Sequence, residues 1–222
     1  MSGPADAVGT HRDAYLAALL ASDPRRARQV VAEAVAGGTA PEDLYLQVFQ
    51  PALHEVGHRW AMGELSVADE HLATEITNRL LDELSPRMRT VPWGGRLAVV
   101  TSTPDELHAL GVRMVADFLE ADGWEVLSLG ASTPADDLVV LVEREAPDLV
   151  ALSTTTARSI PGIADVLQRL RSVHPRPLIV VGGQFWTAEA AQSARELGAD
   201  VVSRDPRALV ALLRERIPPR LA

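Results

Sequence analysis

Cysteine is absent from this 222-residue sequence. That excludes disulfide bonds and thiolate metal sites, and it suits a reducing cytosol. Positive charge is scarce: 21 Lys and Arg against 30 Asp and Glu leave a formal net charge of −9. Nucleic-acid binding draws much of its affinity from cations that neutralise phosphates, so direct DNA binding is not expected. No apolar run approaches the ~20 residues that span a bilayer. The opening MSGPADAVGT has neither the basic nor the apolar region of a secretory signal. With 47% hydrophobic residues the chain can still bury a real core. A cytoplasmic globular protein without membrane association is expected.

What is present falls into two textures. Residues 1–90 carry helical periodicity and no strand pattern. In HRDAYLAALLAS, Tyr15, Leu16, Leu19 and Leu20 share a face. Asp23 is expected to cap a second helix, with Pro24 in its first turn and Gly37-Gly38 after its end. A third helical stretch, APEDLYLQVFQPALHEVGHRWAMG, is expected to kink or split at Pro51. Ser66 and Asp69 form a capping box for a fourth. Four helices with short links predict an up-down bundle. After SPRMRTVPWGG, read as an interdomain linker, strands and helices alternate over residues 91–222. The strand segments are LAVVTS, WEVLSLG, LVALST, LIVVGG and DVVS. The fold class is therefore α/β: an N-terminal four-helix bundle followed by a flavodoxin-like (Rossmann-like) five-stranded parallel sheet. Ligands of such sheets sit at the carboxyl ends of the strands.

Three loops at that edge have unusual composition. The first, TPDELHALGVRM, holds Glu106, His108 and Gly111; the second, LSTTTARS, holds Ser153, Thr154, Thr155 and Ser159; the third, VVGGQFW, holds Gly182 and Gly183. They follow the first, third and fourth strands, which lie side by side in a flavodoxin-like order, so the loops converge. An imidazole beside a carboxylate makes an oriented metal ligand: the carboxylate fixes the tautomer and the other ring nitrogen faces the metal. Glycines admit a large cofactor to the backbone. A lone Glu-x-His is weak evidence by itself, since an exposed loop histidine is commoner.

The intervals are more specific. Gly111 is followed by 41 residues and then Ser153, and Thr155 by 26 residues and then Gly182-Gly183. This pattern resembles the cobalamin-binding domains of methionine synthases, corrinoid carriers and cobalamin mutases, over roughly residues 95–215. The resemblance implies that His108 displaces the cofactor's own base and binds cobalt from below, and that Glu106, where Asp is commoner, orients it. Ser159 would partner that carboxylate. Ser153 and Thr155 would line the slot for the displaced nucleotide tail, Gly182 and Gly183 would admit it, and Gly111 is the cofactor-binding glycine of the His108 motif.

In the helical half, Trp60 is followed by nine residues and then Glu70-His71. A buried Trp and an acidic first turn of a helix explain these residues without any ligand. The spacing nevertheless resembles that of adenosylcobalamin photoreceptors, the CarH-type light-sensing regulators, whose bundle caps the cofactor's upper face. By that resemblance Trp60 packs on the adenosyl group, and Glu70 and His71 contact its ribose. Those photoreceptors carry a His directly after the Trp, which ligates cobalt after illumination; here the position is Ala61. His58, three residues back, shares roughly one helix face with Ala61 at ~100° per residue and is a candidate upper ligand to the metal. A competing motif, His54-Glu55-Val56-Gly57-His58, matches the zinc-protease pattern, but it has no clear third ligand.

The reading drawn from these residues is a non-enzymatic cobalamin sensor. It is expected to be an adenosylcobalamin photoreceptor that signals to a protein partner such as a transcription regulator, or through light-dependent self-association. The alternatives are a corrinoid carrier for methyl transfer, using methylcobalamin, and a light-independent cobalamin sensor, using the hydroxo form. Carriers usually show His-Asp-Ile-Gly-Lys where this chain has His108-Ala109-Leu110-Gly111-Val112.

Overall fold

The structure is a computed structural model that describes residues 4–88 and 91–220. The chain divides into two compact units, Met1–Met88 and Arg89–Ala222. The first is helical: α1 (Pro4–Leu20), α2 (Pro24–Ala36), a single turn α3 (Pro41–Asp43), a π-helical stretch Leu44–Phe49, α4 (Gln50–Ala61) and α5 (Val67–Met88). Its core is built by residues at helical spacing, among them Tyr15, Val30, Leu44, Phe49, Val56, Leu80 and Leu84, all nearly inaccessible. Tyr15 packs on Phe49 with ring centroids 5.0 Å apart. Its hydroxyl donates to Thr77 Oγ1 at 2.9 Å, because the Thr77 hydroxyl itself donates to the Ala73 carbonyl at 2.8 Å. Burial pushes the Tyr15 phenol well above its ordinary pKa, with the Thr77 hydrogen bond opposing, so it stays neutral.

The caps form as the sequence implies. The Asp23 carboxylate accepts from the amides of Arg25 and Arg26 at 3.1 and 2.9 Å. Ser66 and Asp69 exchange bonds reciprocally, with the Ser66 amide donating to Asp69 at 2.8 Å and the Asp69 amide to Ser66 Oγ at 3.2 Å. The first helix begins at Pro4, ahead of the periodic segment. Two expectations are corrected. The third stretch does not split at Pro51: it widens into π geometry just before it, with the Gln50 amide reaching back to the Tyr45 carbonyl. A widened turn spares the clash between a proline ring and the carbonyl four residues earlier. The expected linker starts inside a helix, since α5 runs through Pro86 to Met88. Leu84 and Met88 are buried there, and that burial outweighs the proline's preference for a helix end. Arg89 and Thr90 of that linker lie outside the described residues.

The second unit alternates β1 (Arg96–Ser102), α6 (Leu110–Ala121), β2 (Trp124–Gly130), α7 (Ala135–Glu145), β3 (Leu149–Ser153), α8 (Ile160–Leu170), β4 (Leu178–Gly182), α9 (Ala188–Leu197), β5 (Val201–Ser203) and α10 (Pro206–Arg216). The sheet is parallel in the order β2-β1-β3-β4-β5, the flavodoxin-like arrangement. Strand β3 is buried along its whole length, as befits a strand covered on both faces. Register aligns Ser102 with Ser153, Ser153 with Gly182 and Gly182 with Ser203. Small residues thus form one row across the carboxyl edge. Among the described residues, no helix is long and apolar enough to cross a membrane.

At the opposite end of the sheet a buried ion pair anchors β1. Arg96, 1% exposed, donates to Asp122 at 3.1 Å and lies 4.4 Å above the Trp124 ring. Asp122 also accepts from Trp124 Nε1 at 3.2 Å and from Arg214 of α10 at 2.6 Å. Asp122→Ala would leave the buried guanidinium without its counter-charge, with only the Ile217 and Asp122 carbonyls to accept from it. Denaturant unfolding is expected to show a loss of roughly 3–5 kcal/mol, in the transition that belongs to this unit.

Candidate functional site

The β1–α6 loop is held from both sides. The Thr103 amide donates to the Ser153 carbonyl at 3.0 Å, and the Glu106 amide closes a turn onto Thr103 at 3.0 Å. Asp105 sits in the left-handed region, φ 63°, with its amide donating to Ser132 Oγ at 3.1 Å. Ser102 Oγ donates to the His108 carbonyl at 2.8 Å. These bonds turn Glu106 inward, where it is 1% exposed, and leave the His108 side chain about half exposed at 48%.

Glu106 works with both oxygens. Oε1 accepts from the His108 amide at 3.1 Å and meets His108 Nδ1 at 2.5 Å. Oε2 accepts from the amides of Thr155 and Thr156 at 2.8 and 3.0 Å, and from the hydroxyls of Ser159 and Thr156 at 3.3 and 3.4 Å. Burial pushes this carboxyl up, but donation by the His108 ring and by the three amides outweighs it and brings the pKa down to about 2. The carboxylate is therefore ionised and can only accept. An ionised carboxylate can meet Nδ1 only through a ring proton, so in the neutral imidazole Nε2 is the nitrogen able to bind a metal. That is the arrangement of an oriented metal ligand.

Behind this pair the edge is tightly fitted. A β-carbon on Gly111 would lie 3.3 Å from Ser153 Oγ. One on Gly182 would lie 2.7 Å from the Ser203 carbonyl oxygen, and one on Gly183, at φ +108°, 2.3 Å from that of Thr154. Both glycines of the third loop are thus required by neighbouring backbone before any ligand is considered. Trp186, beyond them, is 2% exposed, packs edge-on against Phe185 and belongs to the core.

The helical unit holds the remaining expected residues. Trp60 lies in the last turn of α4 and is 43% exposed, so it is not part of the core. Glu70 stands in the first turn of α5, accepting from Thr74 Oγ1 at 3.0 Å and lying 3.7 Å from His71 Nε2. His71, His58 and Ala61 are exposed. Glu55 of the competing zinc motif is paired with Arg59 at 2.7 Å. Among the described residues no group of three His, Cys, Asp or Glu side chains could hold a metal ion. The structure thus brings Glu106, His108, Thr155 and Ser159 into one network and sets Gly111 against Ser153. Sequence reasoning missed Ser102, Ser132 and Thr156. The first two end strands or turns, where a small hydroxyl is unremarked. Thr156 was visible only as the third member of a threonine run.

Two family models, both described as a B12 binding domain, match residues 96–213 and 11–85. The HTH-type transcriptional repressor CarH of Myxococcus xanthus is 38% identical over 176 residues, 78% of this chain and 58% of its own length. This chain therefore spans little more than half of that relative. The trimethylamine corrinoid protein of Methanosarcina barkeri is 28% identical over 185 residues, 81% of this chain and 83% of its own. The structure of the Methanosarcina barkeri monomethylamine corrinoid protein matches with a TM-score of 0.81 at 19% identity, covering 97% of this chain and all of that one. This last likeness is one of fold.

Removing the carboxylate tests the network directly. Glu106→Ala unpairs the Thr155 and Thr156 amides and releases the imidazole. Loss of such an orienting partner is expected to weaken cobalamin affinity ~10–100-fold, read by absorbance titration.

Proposed function

Because the chain belongs to the B12-binding domain family, we propose that it is a cobalamin sensor of the photoreceptor kind, with His108 as the lower ligand to cobalt. Its cofactor is cobalamin. The residues fit that group: one imidazole is bound through Nδ1 to a buried, ionised carboxylate, which leaves Nε2 as the nitrogen for a metal. A row of small residues lies behind it at the sheet edge. This Glu106–His108 pair is the observation that carries the reading.

When bound, adenosylcobalamin supplies a cobalt–carbon bond that visible light breaks. His108 would hold the cobalt, with Glu106 fixing the imidazole. Ser153, Thr155, Gly111, Gly182 and Gly183 would receive the rest of the cofactor, and Ser159 steadies the carboxylate. On the helical unit Trp60 would meet the adenosyl group, and Glu70 and His71 would offer it polar contacts. His58 would be a further candidate ligand to the metal. A signal needs contacts that differ between the two states; those of Trp60, Glu70 and His71 do so in this scheme. The output is a protein partner such as a transcription regulator, or a second copy of the chain. The protein acts in the cytoplasm without catalysing a reaction. Identity of 38% to a transcriptional repressor supports this reading, as does the exposure of Trp60.

A second reading, a corrinoid carrier for methyl groups, is supported by the 28% identity to the trimethylamine corrinoid protein. Preference for methylcobalamin over adenosylcobalamin would select it. A light-independent cobalamin sensor would bind cofactor and ignore illumination.

Protein loaded with adenosylcobalamin in the dark is expected to change both its absorption spectrum and its elution volume after green light. Indifference of both would remove the photoreceptor reading. His108→Ala is expected to lose the spectrum of histidine-ligated cobalamin; an unchanged spectrum would disprove the lower-ligand assignment.

A further inference from the structure

Leu107 lies between Glu106 and His108 and, unlike Glu106, faces solvent. Glu106 is 1% exposed, whereas Leu107 is 77% exposed, the most exposed large hydrophobic side chain among the described residues. A single exposed leucine needs no explanation on most surfaces. This one differs in what holds it out. A mobile loop could fold an apolar side chain back onto the protein. Here the flanking backbone is pinned at the Asp105 amide by Ser132, at the Glu106 amide by Thr103, at the His108 amide by Glu106 and at the His108 carbonyl by Ser102. The left-handed Asp105 fixes the entry angle. The chain thus presents an apolar group to water in one defined place.

We infer that Leu107 is an apolar seat for the lower face of the corrin ring, a binding contact that is separate from the bond to cobalt. The inference rests on the reading that His108 ligates the metal. An axial ligand stands roughly perpendicular to the macrocycle it serves. The macrocycle therefore spreads sideways over the residues flanking that ligand, and the Leu107 Cα lies only about 3.8 Å along the chain from that of His108. Burying the leucine under the ring removes apolar surface from water on both partners. Because the loop is already ordered, little conformational freedom is lost in doing so. The contact also bears on what is accepted. It takes a flat, largely apolar macrocycle carrying a metal, and it does nothing for a bare metal ion.

The test uses the full chain, adenosylcobalamin in the dark, and the substitutions Leu107→Ser and Leu107→Met. Leu107→Ser is expected to weaken binding about tenfold, equivalent to about 1.4 kcal/mol, and Leu107→Met to bind like the wild type. Both are expected to keep the histidine-ligated spectrum. Neither should change the unfolding midpoint of the cofactor-free protein, since the side chain is mostly solvated there. Equal affinity in all three proteins would overturn the inference. So would loss of the histidine-ligated spectrum in Leu107→Ser, which would make the leucine a positioning residue for the imidazole. So would a fall in the cofactor-free midpoint, which would make its role structural. Wild-type protein that binds no cobalamin would overturn the parent reading as well, so the two failures are told apart by the wild-type titration.

Discussion

The site depends on one buried carboxylate. Glu106 has no access to water, and a charge so placed is tolerated only when its oxygens are fully engaged. One oxygen takes the imidazole and its own loop's amide; the other takes two amides and two hydroxyls from the loop after β3. The same group therefore orients the His108 ring and ties two loops together. These are separate tasks, and the geometry lets one side chain perform both because its two oxygens face different elements.

The sheet supplies the frame for this pairing. Central parallel strands covered on both faces hold their register firmly, since a slip would misplace every buried side chain. Register here carries Ser102, Ser153 and Gly182 to the same level, so the loops that follow leave the sheet side by side. At the far end Arg96, Asp122, Trp124 and Arg214 tie β1, β2 and α10 into a second polar cluster. The strands are thus secured at one end by a closed ion pair and open into the working loops at the other.

Much of this was legible in the chain, for reasons that differ by element. Strand order followed from the alternation of short apolar runs with helices, because such units pair in parallel by few routes. Caps at Asp23 and Ser66 were legible because a cap is a local contract between residues three apart. The two prolines misled. Pro51 is absorbed by a π turn and Pro86 by the burial of its neighbours Leu84 and Met88, and neither compensation has a local signature. In the site, Glu106 and His108 were legible as a pair. The grip of Thr155 and Thr156 was not, because it runs through backbone amides some fifty residues away. The exposure of Leu107 was equally hidden, since a leucine in a sequence carries no mark of facing water.

The close approach of Gly183 to Thr154 constrains more than these two residues. With a carbonyl oxygen 2.3 Å from where a β-carbon would stand, and with φ at +108°, any mutation there would force the third and fourth strands' loops apart. The two loops are therefore held at backbone contact distance, and what they recognise can be altered only through the side chains around that contact.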